Sequence, residues 1–210
     1  MRRYAQFWLT GVQTGLRLLV GLSYRTSGLE NLPQRPVIIA AKHQSAWETL
    51  YFFLVRTELA IALKQELTMI PLFGWYLMRA GNIKLDRGGA AKTLKSLVKG
   101  AKQAIAKGDS VLIFPEGTRR AVGAPPDYKP GVAALYGALS VECVPVALNS
   151  GCFWGRRAFA KKPGVIEVEF LPGIEPGLNR KSFMAELENR IETATSRLVA
   201  QAQAGEARHG

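Results

Sequence analysis

Two side chains in this 210-residue sequence could move a proton together if the chain brings them into contact: His43 and Glu48. They frame the segment Lys42-His43-Gln44-Ser45-Ala46-Trp47-Glu48, which follows the apolar run Pro36–Ala41 and leads into a helical pattern. Within a continuous helix a five-residue step leaves side chains about 140° apart around the axis, so the two would diverge. They meet if His43 is still in the loop and Glu48 stands in the first helical turn. A carboxylate bonded to one ring nitrogen fixes the imidazole tautomer and leaves the other nitrogen as a base. Ser45-x-x-Glu48 also reads as a capping box, in which Ser45 caps the helix and Glu48 reaches back to the cap's N–H. The residues alone leave both readings open.

Counting narrows the chemistry. The other histidine, His209, lies in a Gly/Ala-rich tail, so imidazole chemistry rests on His43 and a multi-histidine metal site is excluded. The two cysteines, Cys143 and Cys152, match no zinc signature and are too few for a disulfide scaffold. Cys143 opens an apolar strand, where a thiol is usually inert, and no nucleophile elbow surrounds Ser45. A second constellation follows the run Val111–Phe114: Pro115-Glu116-Gly117-Thr118-Arg119-Arg120. It gathers a carboxylate, a flexible backbone, a hydroxyl and a guanidinium at one strand end. Arg119 can bind a phosphate bidentately and Gly117 permits close backbone approach. The plainer reading is a turn carrying surface charges.

The elements that must position these groups alternate. Pro36–Ala41, Glu58–Lys64, Val111–Phe114, Val144–Leu148 and Val165–Leu171 read as strands, being short apolar or β-branched runs. Leu94, Leu97, Val98, Ala101 and Ile105 make one helix face, with Lys92, Lys95, Lys99 and Lys102 opposite as solvated surface. Phe183, Leu187, Ile191, Ala194 and Leu198 stack at helical spacing near the C-terminus. The pattern predicts an α/β fold, a single layered domain with a twisted, mostly parallel or mixed sheet flanked by helices. Both constellations sit where strands hand over to helices, which is where α/β sheets carry functional groups.

Residues 3–22 read as one further helix, with Arg3, Gln6, Thr10, Gln13, Thr14 and Arg17 on a polar stripe. Phe7, Trp8, Val12, Leu16, Leu19 and Val20 cover the rest. Arg17 interrupts the apolar run, which argues against a transmembrane span, and no secretory signal is evident. A basic, Trp-bearing amphipathic helix fits the membrane interface, and packing against its own domain is the alternative. The expected organisation is 1–24 as membrane-associating helix, 25–203 as the main domain and 204–210 as disordered tail. Lys and Arg number 28 against 16 Asp and Glu, a net charge of +12 that asks for an anionic partner. With 48% hydrophobic and 21% charged residues the chain is not disordered. No nucleic-acid partner is expected, because the basic residues are scattered and carry no recognised motif.

Four blocks in order resemble the glycerolipid acyltransferase family, in particular bacterial 1-acylglycerol-3-phosphate acyltransferases. They are His43-x-x-x-x-Glu48, Gly81–Arg87 (GNIKLDR), Phe114–Arg119 (FPEGTR) and Val144–Leu148 (VPVAL). Lys64-Gln65-Glu66-Leu67, Pro71, Gly74-Trp75 and Lys129-Pro130-Gly131 add to the likeness, which covers about residues 28–175. The family usually has Asp where this chain has Glu48.

The resemblance implies a glycerol-3-phosphate acyltransferase-like fold and transfer of an acyl group from acyl-CoA or acyl carrier protein, with no cofactor and no metal. The acceptor would be the sn-2 hydroxyl of 1-acylglycerol-3-phosphate, giving phosphatidic acid for phospholipid synthesis. The catalytic residues would be His43 as general base, since an imidazole of ordinary pKa about 6.5 is mostly neutral at pH 7, and Glu48, which orients it. Lys64, Arg87, Glu116, Gly117, Thr118 and Arg119 would bind the acceptor. The implied location is the cytoplasmic face of a bacterial inner membrane, peripheral or monotopic. Alternatives are another lysophospholipid or lyso-aminolipid acceptor, or a non-catalytic lipid-binding protein on the same fold.

Overall fold

In a computed structural model, residues 2–63, 83–84 and 89–207 are described; Lys64, Arg87, Trp75 and His209 lie outside them. Seven strands form one sheet: β1 (Leu22–Ser27), β2 (Ile38–Ala41), β3 (Leu59–Leu63), β4 (Ile83–Lys84), β5 (Ser110–Ile113), β6 (Cys143–Leu148) and β7 (Gly164–Phe170). Their order across the sheet is β1-β7-β6-β2-β5-β3-β4. Every neighbouring pair is parallel except β6 and β7. The expected α/β layering with a mixed, mostly parallel sheet is therefore the architecture.

The central strands are buried on both faces, as parallel strands covered by crossover helices must be. Side chains alternate across them, so Ile39, Ala41 and Leu112 enter one core while Ile38, Ala40, Val111 and Ile113 enter the other. The first core holds Trp47, Tyr51, Phe52 and Phe53 of α2 (Trp47–Val55) together with Leu9 and Leu16 from the N-terminus. The second is closed by α3 (Ala90–Ala106), α4 (Gly131–Leu139) and the long C-terminal α6 (Arg180–Glu206). A short helix, α5 (Ser150–Phe153), follows β6 directly.

The N-terminal helix follows the second of its two sequence readings and packs on its own domain. α1 spans Arg2–Gly15 and continues as one wide π-helical segment over Leu16–Val20. Gly21 ends it at φ +71, a left-handed conformation that favours glycine. Leu9, Gln13 and Leu16 are buried against the domain. Phe7, Trp8, Leu18 and Leu19 face out. Gln13, expected on the polar stripe, is instead inside, where its carbonyl oxygen accepts the Trp47 indole N–H at 2.9 Å. The helix thus packs on its own domain and still presents an apolar outer face. No helix among the described residues is long and apolar enough to cross a membrane.

Two expectations need adjusting. The predicted seam between residues 24 and 25 falls inside β1, which pairs with β7 in register Leu22↔Gly164. β1 escaped prediction because an edge strand with a burial pattern of one buried residue in six has little apolar signal. At the other end α6 continues helical to Glu206, past the position where the tail was expected to begin.

Candidate active site

The two constellations converge at one end of the sheet. β2 ends at Ala41, and Lys42, His43 and Gln44 lead from it into α2, while β5 ends at Ile113 and runs into Phe114–Arg120. The loops are tied by a hydrogen bond from the Arg120 N–H to the His43 carbonyl, 2.8 Å. The His43 ring lies flat on Phe114, with centroids 3.9 Å apart and planes 15° from parallel.

His43 Nδ1 stands 3.1 Å from Glu48 Oε1. The same oxygen accepts the backbone N–H of Gln44 at 2.6 Å and of Ser45 at 2.7 Å. Ser45 Oγ accepts from the Trp47 N–H at 3.2 Å, a side-chain turn just ahead of α2, whose N-cap is Ala46; of the expected capping box only the Glu48 bond to the Ser45 N–H is made. Bracing the turn and facing the imidazole are therefore not rival roles: one carboxylate oxygen performs both. The other oxygen, Oε2, accepts from the Ser150 hydroxyl at 2.9 Å, and α5 is further pinned by Gly151 N–H to Gln44 Oε1, 3.0 Å. Glu48 is wholly buried and every one of these contacts is a donor, so its orientation is fixed. A carboxylate on Nδ1 holds the ring proton there and leaves the Nε2 lone pair for chemistry.

Behind His43 lies a buried charge cluster that sequence reasoning did not anticipate. Lys42 Nζ donates to Glu116 Oε1 at 2.8 Å and to both oxygens of Glu192 on α6, at 2.8 and 3.0 Å. Glu192 Oε1 also accepts the Tyr128 hydroxyl at 2.9 Å. Burial pushes the Glu116 carboxyl above its ordinary range, and the Lys42 ammonium opposes that. Burial raises the Tyr128 phenol strongly and the neighbouring carboxylates add to it, so it remains a donor. Glu116 Oε2 in turn accepts the His43 backbone N–H, at 3.4 Å. The only sequence sign of this cluster was a lysine ending an apolar strand.

The remaining sequence-chosen residues divide. Glu116 has a fully buried side chain engaged by Lys42, so its carboxylate faces the protein interior. Gly117 adopts φ +65 and donates its N–H to Phe114 O at 2.9 Å, which makes the tight turn that only glycine takes without strain. Thr118 and Arg119 are half-buried on that turn, and Arg119 has no ion-pair partner among the described residues. Its neighbour Arg120 is occupied, bonded to Pro125 O at 3.0 Å and 3.8 Å from Asp127. Lys64 and Arg87 lie outside the described residues.

Two nucleophile alternatives lose ground on this geometry. Ser45 is buried with its hydroxyl oxygen accepting the Trp47 N–H. Cys143 is buried in β6, and desolvation pushes its thiol far up, away from thiolate. The N–H groups of Gln44, Ser45 and Trp47 are already engaged by side chains, so these three are not oxyanion donors. What the arrangement can do is accept a proton at Nε2 and stabilise the resulting imidazolium through Glu48. Glu48→Gln should keep the fold and lower kcat by about 100-fold or more, because it removes the charge that stabilises the imidazolium. Unchanged kcat in a protein with unchanged melting temperature would assign Glu48 to bracing the turn alone.

A family model described as Acyltransferase matches residues 23–149. A 1-acyl-sn-glycerol-3-phosphate acyltransferase of Pseudomonas aeruginosa is 37% identical over 92% of this chain and 73% of its own length. The protein of that name from Saccharomyces cerevisiae is 32% identical over 50% of this chain and 35% of its own length. Among solved structures, the 1-acyl-sn-glycerophosphate acyltransferase PlsC of Thermotoga maritima superposes with a TM-score of 0.77. It covers 94% of this chain and 79% of that one at 20% identity, a likeness of fold. The family model spans more than half of the sequence and includes both constellations. This chain belongs to the acyltransferase family.

Proposed function

We propose that this enzyme transfers a fatty acyl group from acyl-CoA or acyl carrier protein to the sn-2 hydroxyl of 1-acylglycerol-3-phosphate, releasing phosphatidic acid for phospholipid synthesis. The observation that carries the reading is His43 Nδ1 held 3.1 Å from Glu48, with Nε2 left as base. Nε2 takes the hydroxyl proton as the oxygen bonds to the thioester carbon. Collapse of the tetrahedral intermediate expels the thiolate, which receives that proton from the imidazolium. With Ser45 and Cys143 ill-suited as nucleophiles, transfer is direct, within a ternary complex. The curated relatives carry the name of this reaction.

Arg119 is the cation that receives the acceptor phosphate, because it is partly exposed, stands on the turn tied to His43, and has no internal partner among the described residues. Lys64 and Arg87 are proposed to assist. The outer face of α1 holds the protein peripherally on the cytoplasmic side of a bacterial inner membrane. Arg119→Ala should raise the acceptor KM, or lower kcat/KM, by at least about tenfold while the fold persists, since a charge-assisted contact is worth about 1.5–3 kcal/mol. The test is an assay of purified protein on lipid with lysophosphatidate and competing lysolipids, each with both donors. Preference for an acceptor without a phosphate, or an unchanged KM in Arg119→Ala, would overturn the phosphate assignment.

A further inference from the structure

The loop 154–163 is a compact structure that the proposed chemistry does not use. The Lys162 N–H bonds to Phe153 O at 2.9 Å and closes its base, and Ala158 N–H bonds to Gly155 O at 3.1 Å inside it. At its tip Phe159 is 96% exposed. Arg156 and Arg157 flank it, exposed and without an acidic partner among the described residues, and Lys162 is also exposed. Lys161 Nζ sits 4.4 Å from the Trp154 ring centre and 5.4 Å from that of Phe159, so ammonium and aromatics form one layer.

Topology sets this loop beside the N-terminal helix. β1 and β7 are parallel with Leu22 opposite Gly164, and the Gly164 N–H bonds to Gly21 O at 3.0 Å. The segments entering these strands, the π-helical end of α1 and the loop 154–163, therefore emerge side by side. β7 runs antiparallel to β6, which is parallel to β2. Their shared end of the sheet is thus the end from which His43 emerges.

We infer that loop 154–163 is a second membrane-contacting element, which docks on an anionic lipid surface next to α1; this rests on the membrane reading of α1 given above. Phe159 enters the acyl boundary and Arg156, Arg157 and Lys162 meet the headgroup phosphates. α1 and its adjoining segment expose apolar side chains of their own, among them Phe7 at 81% and Leu19 at 88%, on the segment that enters β1 beside this loop. A fully exposed aromatic among cations, on a loop whose base adjoins a segment with exposed leucines, matches a lipid interface. An acidic carrier protein would also meet the cations but offers nothing for so much apolar surface.

The test is co-sedimentation of the full chain with phosphatidylcholine vesicles, with and without 30% phosphatidylglycerol. The variant is Arg156→Ala/Arg157→Ala/Phe159→Ser, and all three positions are exposed. Each cation near an anionic surface contributes about fivefold to partitioning, so this variant should bind the anionic vesicles at least about 25-fold more weakly than the parent. Its turnover of monomeric short-chain lysophosphatidate with acyl-CoA, in the absence of vesicles, should stay within about twofold. If the parent binds and the variant binds equally, the loop inference is overturned while the reading of α1 stands. If the parent itself does not bind, both are overturned. If vesicle binding is unchanged and only turnover with acyl carrier protein falls, the loop belongs to the donor and the inference is again overturned.

Discussion

Replacing His43 with alanine is expected to lower kcat by about 100- to 10,000-fold and to change the KM of either substrate little. The split follows from the geometry. In the proposed reaction His43 meets the acceptor hydroxyl at Nε2 only as the proton moves, so its contribution would appear in the transition state and not in ground-state binding. No second imidazole stands in reserve, since His209 is the only other histidine in the sequence. The variant should fold, because the ring is a lid on Phe114 and is not in the deep core. Glu48 would keep its bonds to Gln44, Ser45 and Ser150 and would go on bracing the turn ahead of α2. Steady-state kinetics with the melting temperature measured in parallel decides the matter. Unimpaired transfer by a folded His43→Ala protein would remove His43 as the general base.

The second large effect lies behind the site. Lys42→Met should destabilise the protein by about 3–5 kcal/mol, the usual cost of removing one partner from a buried charge group. Methionine fills the volume but leaves Glu116 and Glu192 facing each other without the ammonium that both of them accept from. Urea titration measures the loss. The diagnostic variant is the triple Lys42→Met/Glu116→Gln/Glu192→Gln, in which no unpaired charge is left, and it should recover at least half of the lost stability. Recovery with activity still depressed would locate the contribution of Glu116 in its hold on the His43 backbone N–H. A Lys42→Met protein with the parent's midpoint would mean that the cluster is solvated and contributes nothing.

How much of this was legible in the sequence depended on whether the signal was local. The central strands announced themselves because a parallel strand covered on both faces is an uninterrupted apolar run, as in Ile38–Ala41 and Cys143–Leu148. The amphipathic helix Ala90–Ala106 was equally plain from its lysine-opposed face. By contrast Gly131–Leu139 is apolar on all sides and has no stripe to read, and β1 is polar because it lies at the sheet edge. In the site, His43 and Glu48 are five residues apart, and a capping rule with a turn angle was enough to connect them. Ser150 reaches Glu48 across 102 residues of chain and Glu192 reaches Lys42 across 150. Neither has any local pattern to betray it, because only the sheet order brings them together. Glu116 shows the limit from the other side: the resemblance implied a ligand to the acceptor, and its bond to Lys42 inside the protein has no sign in the sequence.

The shared oxygen of Glu48 has a consequence for what a substitution at this position would disturb. A residue that only oriented an imidazole could be shortened whenever the histidine loop drifted, and a residue that only braced a turn could be exchanged for glutamine at small cost. Here both duties fall on Oε1, which accepts from Gln44 and Ser45 while it faces His43. Shortening the side chain to aspartate withdraws the acceptor from the turn and the ring at once. An aspartate version of this site is therefore reached only by moving the backbone of residues 43–45 in the same step.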